Sequence, residues 1–440
     1  MKINSITIGG FKNLCLTKLE LEKICAIISP NNYGKSNLLE AIDFGLDFIH
    51  ESRKGRKNMM GWIKGIPLCP ALENSEYKFE MEFEDESLGE YRYVKYGYSF
   101  KWYRDDETGA QITDEWIETR ENKSVRYTSY LKRAEGKYRK GKTTAAYRKI
   151  ELDGLQLALD VLGLIEDIEL EEVVKAIQNI DYRVCSSLDS RDRYQPAPVE
   201  YIEDKNDSIK CDDVDVPKAL SRLKNKAPDR YKLFEDAVLT LFPEFTAIKL
   251  NEYTLTDQSI EHMKVTVSGK LLKQNEIPFR LRESVYRLFV NSIYLNQPIS
   301  MANMSTGTKR VIWLLANAFI ANYAESGLIG IEEIETSIHP GLIRQLLEIL
   351  AEAAGSASLI ISSYSPYLVQ YLKPENIYIG VPSNKGAAEF RKIQKSKLKT
   401  LISNARDMDL SVGEYLFELL SGDSDSFEIL NCFLEESSRR

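Results

Sequence analysis

Residues 24–42 read ICAIISPNNYGKSNLLEAI, and this stretch decides the fold. Ile24, Cys25, Ala26, Ile27 and Ile28 form a short apolar run rich in β-branched side chains, which predicts a buried strand. A polar turn follows, Ser29-Pro30-Asn31-Asn32-Tyr33-Gly34-Lys35-Ser36, and then Leu38, Leu39, Ile42, Leu46 and Ile49 recur at helical spacing. Strand, loop and helix in this order aim backbone N–H groups and the positive end of a helix at one point, where an anion binds. Gly34 permits close backbone approach, Lys35 can reach terminal phosphates, and Ser36 can hold Mg²⁺ at the helix start. The bland alternative is a Ser/Asn-rich helix cap with a chance lysine.

The strict pattern G-x-x-x-x-G-K-[ST] occurs elsewhere, at residues 136–143, GKYRKGKT. Its context is wrong for a phosphate loop. The preceding SYLKRAE reads as no buried strand, and Lys137, Arg139 and Lys140 read as a solvated basic loop.

Working outward from residues 24–42, the start of the chain alternates through Ile3 to Ile8 as a strand. Residues 77–103 hold two alternating runs separated by an acidic turn, which predicts a hairpin. Near residue 300 a compact strand–helix rhythm returns: helix 306–322, an apolar strand 328–331, helix 341–353 and a strand 358–362. Such alternation predicts a parallel sheet with its ligand loops at strand ends. The strand 328–331 runs into Glu332 and Glu333, a pair that can orient Mg²⁺ and polarise an attacking water. An acidic helix cap is the plain alternative. Met304-Ser305-Thr306-Gly307-Thr308-Lys309-Arg310 opens a helix with small hydroxylated residues, a second anion-ready start or an ordinary N-cap. Residues 360–366, IISSYSP, end a strand in a polar turn able to sense phosphate.

The five segments GFKN, SPNNYGKSNLLEAI, NMSTGTKR, IGIEEIETSIHP and IISSYSP, in this order, resemble the ATP-binding heads of ABC-type AAA ATPases of the SMC, RecF and OLD group. Within it the chain looks most like the compact ATPases of anti-phage defence systems, such as Septu PtuA and, at greater distance, PARIS AriA. The resemblance covers about residues 1–50 and 300–375. It implies an α/β, P-loop, SMC-like head, discontinuous in sequence, with ATP and Mg²⁺ as ligands. It implies that Asn31, Asn32, Gly34, Lys35, Ser36 and Asn37 form the Walker A loop and that Lys12 and Asn13 approach the nucleotide. Ser305 and Gly307 become the signature motif that completes a partner copy's site in a head-to-tail dimer. Ser36 and Glu332 hold the metal, Glu333 is the catalytic base, and His339 matches the -HP that follows. Three departures stand out: Ser29 replaces the first glycine of the loop, Glu332 replaces the usual aspartate and so lengthens the arm to Mg²⁺, and Tyr364 stands where relatives carry a histidine. A tyrosine hydroxyl donates one hydrogen bond without an imidazolium-like charge, so ATP binding with slow or conditional hydrolysis is expected.

The expected domains are residues 1–103 and 291–440 as the two parts of the head, with the latter ending in a helical tail, and 104–290 as an inserted mixed lobe. In the insert, residues 120–149 carry eleven Lys/Arg against two Glu, interleaved with Tyr127, Tyr130, Tyr138 and Tyr147. That composition suits backbone-directed nucleic-acid binding, a solvated surface, or docking of an acidic partner. OLD-type relatives carry a C-terminal nuclease, but Asp423-Ser424-Asp425 is too near the end and reads as a helix start, so any nuclease is expected to be a separate HNH-type partner. A RecF-like repair clamp and a nucleotide-stabilised scaffold are the alternatives.

Composition sets the outer limits. The 440 residues are 43% hydrophobic and 28% charged, which excludes a disordered or collagenous chain. The net charge of −8 excludes a protein that coats nucleic acid with its whole surface. Six dispersed cysteines and three histidines provide no zinc or disulfide framework. The longest apolar run, 311–321, is half a membrane span and contains Asn317. A cytoplasmic protein with no membrane partner is expected.

Overall fold

The computed structural model describes residues 1–103, 111–142, 146–185, 192–195, 199–201, 215–254, 266–267, 270–271, 279–381 and 386–436. The chain forms two compact units. One comprises Met1–Ser186, Glu325–Glu335 and Ala354–Arg440; the other comprises Ser187–Ala324 and Thr336–Ala353.

The first unit is built on two sheets and a helix between them. Its six-stranded sheet has the order Tyr182–Cys185, Leu328–Ile331, Ser358–Ser363, Ile24–Ile28, Ile377–Gly380, Phe390–Lys392. The first five strands are parallel and the last is antiparallel. Every residue of Leu328–Ile331 and Ser358–Ser363 is buried, which is why these strands read as continuous rather than alternating runs. The eight-stranded antiparallel sheet runs from Thr17–Glu20 through Lys2–Gly9, Tyr77–Glu84 and Tyr93–Lys101 to Gln111–Arg120, Thr128–Lys132 and two short strands. In Tyr77–Glu84 alternate residues are buried, so Tyr77, Phe79, Met81 and Phe83 face the core.

The helix Lys35–His50 lies between the sheets. From one side the Tyr77 hydroxyl donates to Ala41 O (2.9 Å) and the Tyr98 hydroxyl to Gly45 O (2.7 Å). From the other, Leu39 packs over Gly330. Its C-terminal carbonyls at Phe48 and Ile49 accept from the buried Arg56 guanidinium at 3.0 and 3.1 Å, and Arg56 also pairs with Asp160. The helix that presents Lys35 is therefore held at both faces and at its far end.

The expected hairpin in 77–103 forms, with Tyr77 opposite Phe100. The expected boundary at 103 falls inside a sheet instead. Gln111–Arg120 pairs along most of its length with Tyr93–Lys101, so cross-strand pairing carries the first unit onward to 186.

In the second unit the helices Val216–Lys226, Pro228–Leu241, Thr306–Tyr323 and Pro340–Ala353 pack together beside the antiparallel strands Phe245–Thr254, Ser284–Ser292 and Ile299–Ser300. Phe234 meets Phe319 edge-on at 6.1 Å, and Asn322 donates to Ala353 O at 2.9 Å. The acidic stretch 203–215 lies outside the described residues except for Asp215, which caps the helix Val216–Lys226 and pairs with Arg282. Among the described residues no helix is long and apolar enough to cross a membrane.

Candidate functional site

The loop between Ile24–Ile28 and Lys35–His50 encloses a cavity of about 640 Å³, lined by Asn31, Asn32, Gly34, Lys35, Ser36, Asn37, Glu333 and Tyr364. That volume is in the range of small-molecule sites. Parallel pairing explains the lining. The strand Ser358–Ser363 lies between Ile24–Ile28 and Leu328–Ile331, so the ends of all three strands, and the turns that follow, open on one edge of the sheet. Residues far apart in sequence thereby meet at the crevice where α/β sheets bind ligands.

The loop is shaped by two left-handed residues, Asn32 (φ 59°) and Gly34 (φ 132°). A Cβ on Gly34 would sit 3.0 Å from Asn13 Oδ1 and 3.1 Å from Ala388 Cβ, so both backbone conformation and space favour glycine there. Ser29 is not among the residues with positive φ; it is buried and its hydroxyl donates to Pro30 O at 3.1 Å. Replacing the usual glycine with Ser29 thus introduces no left-handed strain.

Lys35 is 6% exposed, and its ammonium donates to Ser29 O at 2.8 Å and Pro30 O at 3.2 Å. Burial pushes its pKa below the ordinary lysine value, while Glu333, Glu335 and Glu332 oppose that shift. The ammonium is thus folded onto its own loop, desolvated, and within electrostatic reach of three carboxylates. Ser36 Oγ donates to the Glu332 carboxylate. Two hard oxygen donors meeting at a helix start suit a divalent ion such as Mg²⁺, so the longer arm of Glu332 relative to aspartate does reach. No cluster of three or more His, Cys, Asp or Glu that could hold a metal occurs among the described residues, so this pair would need phosphate and water oxygens to complete a shell.

Glu333 sits on a left-handed backbone (φ 45°), and its N–H donates to the buried Ser362 hydroxyl at 3.0 Å. Tyr364 is 43% exposed beside the cavity. Lys12 and Asn13 do not line it. Lys12 pairs with Glu40, and Asn13 braces the loop by donating to Tyr33 O at 2.9 Å while accepting from Asn37 Nδ2 at 2.8 Å. Three residues that lie inside the segments IISSYSP and IGIEEIETSIHP, and for which sequence reasoning found no role of their own, also contribute here: Ser362, Ser363 and Glu335.

Ser305 and Gly307 belong to the second unit. Ser305 is exposed and caps Thr306–Tyr323, accepting from Thr308 N at 3.1 Å. Gly307 faces Ser337 O, which a Cβ would approach to 2.2 Å. His339 is exposed and its Nδ1 accepts from Gly341 N at 3.1 Å, an N-terminal capping contact for Pro340–Ala353.

Two further expectations are corrected. Before Gly136 there is a strand after all, Thr128–Lys132 with Tyr130 and Leu131 buried, but a second short strand, Lys137–Tyr138, follows instead of a helix. The decoy match is part of a β-hairpin, with Thr143 outside the described residues. The basic segment 120–149 is also less open than a solvated loop. Arg120 lies 4.3 Å over Tyr127 and Arg139 lies 4.1 Å over Tyr147. Lys132 and Lys137 pair with Glu135, and Lys142 pairs with Glu90. Arg133 is turned inward onto the carbonyls of Asp153 and Gln156, each at 2.6 Å. Tyr130 and Tyr138 are buried. Tyr127 and Tyr147 thus each have a ring face covered by an arginine, while Lys123, Arg126, Arg148 and Lys149 stay exposed. At the other end of the chain Asp423 caps Ser424–Phe433, as the sequence suggested.

The phosphate loop, the lysine, the Ser–Glu pair and the second glutamate on adjacent strand ends define a P-loop nucleotide-binding domain. A family model described as "AAA domain, putative AbiEii toxin, Type IV TA system" matches residues 25–370, and the chain belongs to that family. No curated protein sequence matches it. Solved structures similar to it include the SMC head bound to the C-winged helix domain of ScpA (13% identity, 91% of this chain and 100% of that one, TM-score 0.49). Others are the SMC head domain from Thermotoga maritima (11%, 90% and 100%, 0.41) and the SMC head with an extended coiled coil bound to the C-terminal domain of ScpA derived from Pyrococcus furiosus (11%, 92% and 99%, 0.45).

Proposed function

We propose that this chain is an ATP-dependent regulatory subunit of an anti-phage defence complex, binding ATP with Mg²⁺ and passing the nucleotide state to a separate effector, an HNH-type nuclease. The observation that carries the nucleotide part is the convergence of Lys35, Ser36 and Glu333 on one cavity, with Glu332 hydrogen-bonded to Ser36. The Lys35 ammonium exchanges the carbonyls of Ser29 and Pro30 for phosphate oxygens, a charge-assisted replacement for two neutral acceptors. Ser36 and Glu332 would hold Mg²⁺, which when bound would neutralise charge on the terminal phosphates. Glu333, positioned by its backbone bond to Ser362, orients the attacking water and takes its proton. Tyr364 donates one neutral hydrogen bond toward the terminal phosphate. Neutral donors are roughly half as strong as charged ones, so hydrolysis is slow and the bound state long-lived.

Ser305 and Gly307 act in a second copy's site, making nucleotide-driven homo-oligomerisation the output step. The defence role rests on the motif order and accords with a family description that names a toxin of a toxin–antitoxin system. The test combines ATP–Mg²⁺ calorimetry with steady-state phosphate release, and co-purification with any co-expressed neighbouring gene product. Micromolar or tighter binding with slow turnover abolished in Glu333→Gln is expected. Brisk turnover, or no binding at all, would overturn the reading.

A further inference from the structure

Glu335 follows the two motif glutamates by two residues and lies close enough to Lys35 for their charges to interact. Its Oε1 accepts from the Ser363 hydroxyl at 2.9 Å and from the backbone N–H of Tyr364 at 2.8 Å. Ser363 Oγ in turn accepts from Ser365 N at 2.9 Å, so one carboxylate oxygen organises the whole turn that carries Tyr364. The companion link, Glu333 N to Ser362 Oγ at 3.0 Å, ties the same two segments one step earlier. Alternate residues after Leu328–Ile331 are thus bonded to successive residues ending Ser358–Ser363. Parallel strands leave the groups beyond their last ladder bond unpaired, and these side chains supply the missing partners.

We infer that Glu335 is a positioning residue of the nucleotide site: its carboxylate fixes the turn that sets where the Tyr364 hydroxyl stands relative to Glu333. Three features set it apart from a general structural acid. Its other oxygen, Oε2, is buried without a hydrogen-bond partner among the described residues, a state retained against a desolvation cost. Burial raises its pKa even against the hydrogen bonds from the Tyr364 N–H and the Ser363 hydroxyl, with the Glu333 charge adding a smaller push. Its two acceptor contacts run to Ser363 and to Tyr364 itself.

This inference rests on the nucleotide reading above and deepens it. The experiment measures Kd for ADP and for a non-hydrolysable ATP analogue, each with Mg²⁺, in the full chain. Tyr364 acts on the terminal phosphate alone, so Glu335→Ala is expected to weaken the analogue by about tenfold, the worth of one displaced buried hydrogen bond, with ADP affinity unchanged. Glu335→Gln, which keeps an oxygen acceptor, should recover most of that loss. Tyr364→Phe should reproduce the Ala phenotype, and the double variant should be no worse than either single one, because both act through one hydroxyl. Equal analogue-to-ADP ratios in Glu335→Ala and the parent would overturn the positioning role, as would full additivity in the double variant. A parent chain that binds neither nucleotide would instead overturn the site reading beneath it.

Discussion

Replacing Lys35 with methionine isolates the electrostatics of the phosphate loop. In the ligand-free chain two terms oppose each other. The ammonium is buried at 6% exposure and its pKa is depressed, so removing it relieves a desolvation cost. Against this, Ser29 O and Pro30 O lose a donor at 2.8 and 3.2 Å, each bond contributing about 1 kcal/mol net. Glu333, Glu335 and Glu332 also lose a favourable charge. The balance leaves unliganded stability within about 1 kcal/mol of the parent.

Nucleotide binding has no such compensation. A charged donor to phosphate contributes about 1.5–3 kcal/mol per bond, less the carbonyl bonds that the parent must break. The net loss is about 2–3 kcal/mol, or roughly a thirty- to hundred-and-fifty-fold weaker Kd. At ATP one hundred times the parent Kd, the parent gains about 2.7 kcal/mol of stability and the variant less than about 1. Calorimetry with ATP–Mg²⁺, with denaturant melts in the absence of nucleotide as the folding control, reads both quantities. Binding by Lys35→Met within threefold of the parent would refute the assignment of this loop. A large loss of unliganded stability would refute the balance of terms.

Gly307→Ala places a Cβ 2.2 Å from Ser337 O, which forces the two segments apart. Overpacking of this kind costs about 1–3 kcal/mol, so a lowered denaturation midpoint is expected and an unchanged one would show that the close approach is absent. Burial raises the Glu115 carboxyl from its ordinary 4.5 to about 7, despite hydrogen bonds from Ala158 N, Leu159 N and Tyr96. The folded state therefore holds its proton over a window where the unfolded state has released it, and stability falls as pH rises from about 4.5 to 7. The integrated loss is about 3 kcal/mol; urea midpoints at pH 5 and 8 should show a steeper fall for the parent than for Glu115→Gln, and equal slopes would refute the shift.

Local chemistry made the centre of the site readable. An apolar strand, a polar turn with Gly34 and Lys35, and an amphipathic helix need only neighbouring residues to declare themselves, and Ile24–Ile28 and Lys35–His50 lie where periodicity places them. The same holds for Leu328–Ile331 and Ser358–Ser363, whose fully buried strands appear as unbroken apolar runs. Motif order then pointed to the α/β class. Composition was silent where partners were non-local. Residues 120–149 look like an open basic surface because spacing does not reveal that Arg120 and Arg139 lie on tyrosine rings or that Arg133 turns inward. Lys12 and Asn13 belong to a suggestive motif, yet Glu40 and Tyr33 O claim their side chains.

Strand order was the decisive hidden variable. Nothing in the spacing of residues 24, 328 and 358 specifies that Ile24–Ile28 and Leu328–Ile331 flank Ser358–Ser363, since parallel neighbours are chosen by packing on both faces of the sheet. That choice brings Glu333 and Tyr364 to Lys35, and it gives Glu335 its partners in the Tyr364 turn. Residue types and local periods record what each segment can become. Which side chains share a cavity depends on long-range pairing, whose energy resides in contacts hundreds of residues apart.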